Sequence, residues 1–293
     1  MKSRNLQNRT LILMLLPCLV VLCAIIIVPL INLFAYSFYD YKLANPNGMN
    51  FVGVENYSKV IQDKEFHNSL WVTAKYVIGV LISQIPIGLL FVEILNNIKK
   101  GSGLIKTLIM PPMVVPGVVA AVVWRLMYDP STGLINYFLS IFGIEPHAWL
   151  ADRNTTLFSL LVVDFWQNTP FVILMLLAGR ATISDDLYEA AKIDGANGWQ
   201  LFRNITLPLL RGSLMICILF RVIDSLKGFT HISLMTAGGP GNASTTINFY
   251  AYRMAFTYTD IGYSSALGVF MLLLTTLMAV GMLKIFKRGG SLD

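Results

Sequence analysis

Six polar residues stand inside or at the edge of stretches that are otherwise apolar, and their spacing restricts what they can do. Asp164, Gln167 and Asn168 are three and four positions apart, so on a helix they share one face. Arg221, Asp224 and Lys227 recur at steps of three. Each step drifts by about 60° on a 3.6-residue turn, which keeps them on one stripe. An ionisable side chain at membrane depth is costly unless it is paired or hydrated. Two chemistries fit. Arg221–Asp224 and Asp224–Lys227 can pair within the helix, or reach Asp164, and so hold helices together. Alternatively the six line a hydrated path for a polar solute. Two acids and two bases sum to zero, which does not demand a charged solute, although an Arg/Lys face would favour an acidic one. Both readings stay open at this level.

The elements that must position these groups are membrane spans. The 293-residue chain is 55% hydrophobic and 13% charged, with mean hydropathy +0.64. Soluble domains carry about 25% charged residues. Roughly 20 consecutive apolar residues make a spanning helix, and six stretches qualify: near 11–34, 70–94, 104–127, 157–177, 209–226 and 262–283. The third is interrupted by Pro111, Pro112 and Pro116. The first follows Lys2, Arg4 and Arg9 but is longer than the apolar part of a signal peptide and has no clear small-residue cleavage site, so it is expected to persist as an anchor. These spans make one all-α membrane domain over residues 1–293.

Orientation comes from the loops, because basic residues collect on the cytoplasmic side. With the N-terminus inside, the inner segments hold Lys2, Arg4, Arg9, Lys99, Lys100, Lys106, Arg180, Lys192, Arg203, Arg211, Lys284, Lys287 and Arg288. The outer ones hold only Lys42, Lys59, Lys64, Arg153 and Arg253. Both termini are therefore expected in the cytoplasm, and the net charge of +6 needs no nucleic-acid partner. The outer loops 40–57 and 129–150 mix turn residues with apolar ones and read as packed caps.

Other chemistry is excluded or bland. Cys18, Cys23 and Cys217 lie in apolar spans without metal-ligand spacing and read as buried small hydrophobes. His67, His147 and His231 are isolated, with no spacing for zinc or a catalytic triad, so no catalytic or metal residue is expected. The glycosylation pattern at Asn154 and Asn242 is common by chance. Glu93 can snorkel at the inner end of its span. Gln84, two residues before Pro86, can satisfy backbone freed by a kink or line a path.

One inner stretch has a character of its own: "EAAKIDGANGWQLFRNITLP", residues 189–208, inside a loop over 180–208. Ser184 followed by Asp185 and Asp186 starts a helix, a hydroxyl cap with acids at the positive end of the dipole. Leu187, Ala190 and Ala191 share a face, Glu189 and Lys192 are neighbours at i, i+3, and Gly195 can end the helix in the left-handed conformation. Trp199, Phe202 and Ile205 mark a second short amphipathic piece, and Pro208 reads as a first-turn resident of the next span. The paired alanines permit close approach of another surface. A helix lying on lipid headgroups is the competing explanation, weakened by a polar face poor in Lys and Arg.

The order Glu-Ala-Ala, three residues, Gly195, nine residues, Ile205-x-Leu207-Pro208 resembles the EAA motif of permease subunits of binding-protein-dependent ATP-binding-cassette importers. "YEAAKIDGANGWQLFRNITLP" looks most like the carbohydrate branch. "FVGVENYSKVIQDKEF", "VVWRLMYDPSTGLIN" and "LMTAGGPGNASTTINFYAYRMAF" are similar to segments of maltose-type permeases, the last to the subunit related to the larger one. Arg180 and Ser184 replace the usual leucine and proline before the motif, Gly212 a frequent proline and Thr230 a frequent aspartate.

The resemblance implies a type I importer permease fold with a pair of cytoplasmic coupling helices that sit in a cleft of an ATPase. It implies that Glu189, Ala190, Ala191, Asp194 and Gly195 take part in coupling, with a polar contact by Glu189, close approach at the alanines and a bend at Gly195. The chain has no Gly-x-x-x-x-Gly-Lys-Ser/Thr loop. ATP and magnesium are thus expected on two partner ATPase subunits, with no cofactor in this chain. The other implied partners are a second homologous permease, an extracytoplasmic sugar-binding protein, the sugar itself and the lipid of a bacterial or archaeal cytoplasmic membrane. A gradient-driven carrier or channel for a small polar solute is the alternative, and it leaves the 189–208 stretch without a purpose.

Overall fold

A computed structural model describes residues 2–45, 48–98 and 101–288, with side chains over 14–45, 48–96, 98, 101 and 103–285. Lys99 and Lys100 lie outside the described residues, as do the side chains of Lys2, Arg4, Arg9, Lys287 and Arg288.

Among the described residues, four helices are long and apolar enough to cross a membrane: α1 (Lys2–Ser37), α3 (Lys64–Asn97), α8 (Thr156–Arg180) and α14 (Ile261–Arg288). Two further spans arise only if each of two bent helix pairs is counted as one. In the first, α4 (Ser102–Ile109) and α5 (Pro111–Val114) lead into α6 (Gly117–Met127) across a 91° bend. Pro116 lies at the break, where a ring without an N–H cannot continue the ladder. In the second, residues Gly198–Leu209 meet Arg211–Leu226 at 68°. Pro208 therefore belongs to the piece before the bend, not to the first turn of the span, which begins two residues later than the sequence suggests.

The chain divides into two compact units. The smaller comprises residues up to 63 and 251–272. Within Met14–Ser37 of α1 an 18-residue window has mean hydropathy 3.1, and none of that window is buried by the rest of the chain. Cys18 and Cys23 are exposed on it, contrary to the expectation of buried thiols: residues 14–32 around them are all exposed, and none of that stretch offers an interior in which to put them. Beyond it, β1 (Tyr39–Asp40) pairs antiparallel with β2 (Asn50–Phe51), a small addition to the expected all-helical fold. Buried Asn56, on α2 (Glu55–Gln62), donates to the carbonyls of Ser37 (3.0 Å) and Tyr39 (2.9 Å) and fastens this corner. Gly262 packs so closely on the Tyr39 carbonyl that a Cβ has no room.

The larger unit covers 64–250 and the chain from 273 on. Here α3 and α8 run side by side in the same direction, with Gly79 against Leu161 and Gly88 against Val172. Small residues bring helix backbones close where lipid offers no hydrophobic drive. The third wall is α12 (Arg211–Leu226). One apolar cluster gathers Tyr76, Val80, Leu160, Val163 and Ile232. A second gathers Val92, Val172, Leu176, Tyr188, Leu201 and Cys217.

The loop between α6 and α8 is an ordered cap, as its composition suggests. It contains α7 (Leu134–Ile141), whose buried Asn136 accepts from the Trp149 indole (2.8 Å) and donates to the His147 carbonyl (3.0 Å). Asp129 Oδ1 accepts from Ser131 and Thr132, both backbone N–H and hydroxyl, and these donors hold its carboxyl down at about 2.

Candidate functional site

The sequence reading put four ionisable groups on two spans, and the structure joins three of them. Asp164 on α8 and Arg221 on α12 are both buried and meet at 2.6 Å. The other arm of the guanidinium holds Asp224 at 2.6 Å, and that carboxylate is 65% exposed. Asp164 also accepts from Tyr76 (3.0 Å) and from the Gln84 amide (2.7 Å), both on α3. Three helices are tied at one carboxylate, on the stretches of α3 and α8 that lie between the two apolar clusters. Gln84 is thus neither a kink patch at Pro86 nor a bare path-lining group; its amide nitrogen also reaches the Asp164 carbonyl at 3.2 Å.

The remaining three residues separate. Gln167 donates to the Val115 carbonyl at 2.7 Å, beside the broken helix at Pro116. Its task is to satisfy backbone that the break releases, as interrupted helices in a membrane require. Lys227 forms no ion pair with Asp224 among the described residues, because α12 ends at Leu226 and the lysine, at its C-cap, is exposed. Its carbonyl instead accepts from Asn248 at 2.8 Å. Asn168 faces a cavity of about 300 Å³ together with Met113, Phe171, Phe220, Arg221 and Asp224. The two phenylalanine rings stand edge to face, 6.3 Å apart. The cavity therefore offers an amide, an exposed carboxylate and apolar ring faces. The Arg221 guanidinium also lines it, and among the described residues no group of three or more metal-ligating side chains gathers.

The loop after α8 folds as two short helical pieces. Ser184 caps α9 (Asp185–Ile193) by accepting from the Asp186 N–H at 3.3 Å. Gly195, at φ +83°, ends it, with the Ala196 N–H reaching the Ala191 carbonyl (2.9 Å) in the six-to-one bond of a glycine-terminated helix. The next piece, α10 (Gly198–Leu201), opens on a capping box between Asn197 and Gln200, a signal that "NGWQ" displays. A π-helical turn, Phe202–Thr206, and α11 (Leu207–Leu209) complete it.

The face of α9 shared by Leu187, Ala190 and Ala191 is mostly turned away from the rest of the chain. Tyr188 is the buried residue, with Ala191 half-buried, whereas Leu187, Glu189, Ala190, Lys192, Ile193, Asp194 and Gly195 are exposed. Glu189 and Lys192 form no ion pair among the described residues. Tyr188 wins because Arg180 awaits it: the buried guanidinium lies 4.1 Å from the ring centroid, donates to the Ile183 carbonyl (3.1 Å) and pairs with Asp185 (2.8 Å). On its far side the Tyr188 hydroxyl meets Thr206 at 3.0 Å, linking α9 to the second piece. Arg180 counted in the sequence as one more inner-loop cation; its burial was not visible there.

Comparisons with known proteins fit this arrangement. Residues 84–289 match the family described as binding-protein-dependent transport system inner membrane component. The chain is 38% identical to the trehalose/maltose transport system permease protein MalF of Thermococcus litoralis, over 94% of each chain. It is 30% identical to the sulfoquinovosyl glycerol transport system permease protein SmoG of Agrobacterium fabrum, over 94% of this chain and 90% of that one. A chain of a bacterial ABC transporter that imports the acidic polysaccharide alginate superposes with TM-score 0.86 at 23% identity, covering 98% of both, and shares the fold. The chain belongs to the inner membrane components of binding-protein-dependent transport systems.

Proposed function

We propose that this chain is one half of the translocation path of an ATP-driven carbohydrate importer, and that α9 is the element through which separate ATPase subunits drive it. The observation that carries this reading is the state of α9 itself. One side is clamped to α8 through Arg180 and Tyr188, and the other exposes Leu187 and Ile193, at 48% and 86%. Apolar side chains grouped on an otherwise polar loop mark a contact surface. Glu189 adds a carboxylate for a polar contact, and Ala190 and Gly195 leave space for close approach.

In this reading the termini lie in the cytoplasm, two ATPase subunits hold ATP and magnesium, and a second homologous permease completes the path. An extracytoplasmic sugar-binding protein delivers the solute to the outer caps. Carbohydrate is favoured by the named solutes of the relatives and by the cavity. Hydroxyl groups donate to Asp224 and Asn168, and the apolar face of a sugar ring packs on Phe171 or Phe220. Closure of the ATPases would displace α9, and the Arg180 clamp would carry α8 with it, and with α8 Asp164 and Asn168. Binding protein and ATP can bias the spans toward an outward-open state only by binding that state more tightly.

The test is reconstitution of the four-subunit complex in liposomes with its binding protein. Sugar uptake is expected to require ATP, and Glu189→Arg to abolish uptake while the permease pair still inserts and assembles. Uptake of sugar by this chain alone, without ATPases, would refute the proposal.

A further inference from the structure

We infer that the ends of α3 and α8 nearest Lys75 form a binding site for the headgroup of an anionic phospholipid. A pocket of about 490 Å³ lies there, and its lining includes Trp71, Lys75, Arg153, Asn154, Leu157 and Phe158. Its lining holds two cations and no carboxylate. Neither Lys75 nor Arg153 forms an ion pair among the described residues, and the Lys75 ammonium rests 5.2 Å from the Trp71 ring centroid. That contact orients the ammonium without neutralising it, because a ring face supplies no negative charge to accept its three N–H groups.

The surroundings identify the kind of anion. Trp71, Lys75, Ile78 and Ile82 recur at steps of four, three and four, one stripe of α3, and the three apolar members are 60%, 53% and 68% exposed. The opposite side of the helix carries Tyr76 and Val80 into the core. Lys75 is thus a cation on the face that meets lipid, one turn below a tryptophan of the kind that marks the membrane boundary. A lysine in this position snorkels toward the headgroups. Phe158, 59% exposed, and Leu157 continue the apolar surface on α8. A free phosphate would use only the two cations and Asn154. A phospholipid also covers the stripe below them with an acyl chain, and this amphipathic match selects the lipid. In the orientation proposed above, the site faces the outer leaflet.

The full complex, purified with its partner subunits and stripped of lipid by detergent, is offered phosphatidylglycerol or phosphatidylcholine, and bound lipid is counted by native mass spectrometry. Phosphatidylglycerol is expected to bind preferentially. Each cation near an anionic headgroup is worth about a factor of five, so Lys75→Gln/Arg153→Gln should weaken that binding about 25-fold with subunit composition unchanged. Arg153→Gln alone, in an exposed loop, should weaken it about fivefold, and it serves if the double variant fails to assemble. Equal binding of the two lipids, or variants that bind phosphatidylglycerol as well as the parent does, would overturn the site. Displacement of the lipid by millimolar inorganic phosphate would overturn the lipid assignment in favour of a soluble anion.

Discussion

The middle of α8 and the loop that follows its end solve opposite problems. At Asp164 the helix carries a charge into the interior, and neighbouring helices answer it: Arg221, Tyr76 and Gln84 all bond to its carboxylate. Beyond Arg180 the chain turns into α9, where Leu187 and Ile193 are exposed. In the first region the charges are answered within one chain, whereas the second presents an exposed apolar surface. A buried charge deprived of its partner is strongly destabilising, so the Asp164–Arg221 contact has to be permanent. An exposed apolar face on a short helix tolerates being open, and can be covered and uncovered in a cycle. Permanent contacts in the spans and an exposed apolar surface at the loop are what a passive half-channel driven from outside would need.

The comparison breaks first at Arg221. Replacing it with methionine keeps the volume but leaves Asp164 buried with only the neutral donors of Tyr76 and Gln84. A loss of about 3–5 kcal/mol is expected, read as a lower thermal unfolding temperature of the purified complex. Adding Asp164→Asn should recover much of the loss, since the pair couples directly. An Arg221→Met complex that unfolds with the parent would mean that the network does not hold the helices.

How much of this was legible beforehand depended on the range of the interaction. The spans, the caps at Ser184 and Gly195 and the Arg221–Asp224 pair are local, set by periodicity and by spacings of three or four. What joins α3, α8 and α12 is not local: Gln84 and Asp164 are 80 positions apart, and no pattern in either helix names the other. The partner of Gln167 was hidden for the same reason, because its acceptor lies 52 positions away at a proline break. On α9 the shared face of Leu187, Ala190 and Ala191 was likewise local, but the residue that anchors the helix was not. Here the inward position is Tyr188, selected by Arg180 eight residues earlier, and the apolar stripe faces outward.

A smaller effect is expected at the loop. Gly195 adopts φ +83°, and a Cβ there meets no neighbour, so the cost of substitution is one of backbone conformation. Gly195→Val should cost about 1–2 kcal/mol locally and misdirect α10, while the spans stay folded. ATPase subunits should then fail to co-purify, with the permease pair intact on size exclusion. Gly195→Asn should retain them, because asparagine visits the left-handed region more readily. If valine is tolerated as well as asparagine, the bend is not what positions the surface.

The smallest effect on stability, and the sharpest on the comparison, is expected at Asp224. It belongs to the buried network by its bond to Arg221, yet its side chain is 65% exposed toward the cavity that Asn168, Phe171 and Phe220 share. Exposed ion pairs contribute about 0–1 kcal/mol, and Arg221 keeps Asp164 when Asp224 is neutralised. Asp224→Asn should therefore unfold within about 1 kcal/mol of the parent. Its cost should appear in transport instead. Loss of a charge-assisted hydrogen bond worth about 1.5–3 kcal/mol raises the solute concentration for half-maximal uptake by about tenfold or more, at an unchanged maximal rate. If unfolding shifts as it does for Arg221→Met while uptake affinity stays put, Asp224 is scaffold like its partner. The stripe on α12 then serves only to hold helices together, and the solute is read elsewhere.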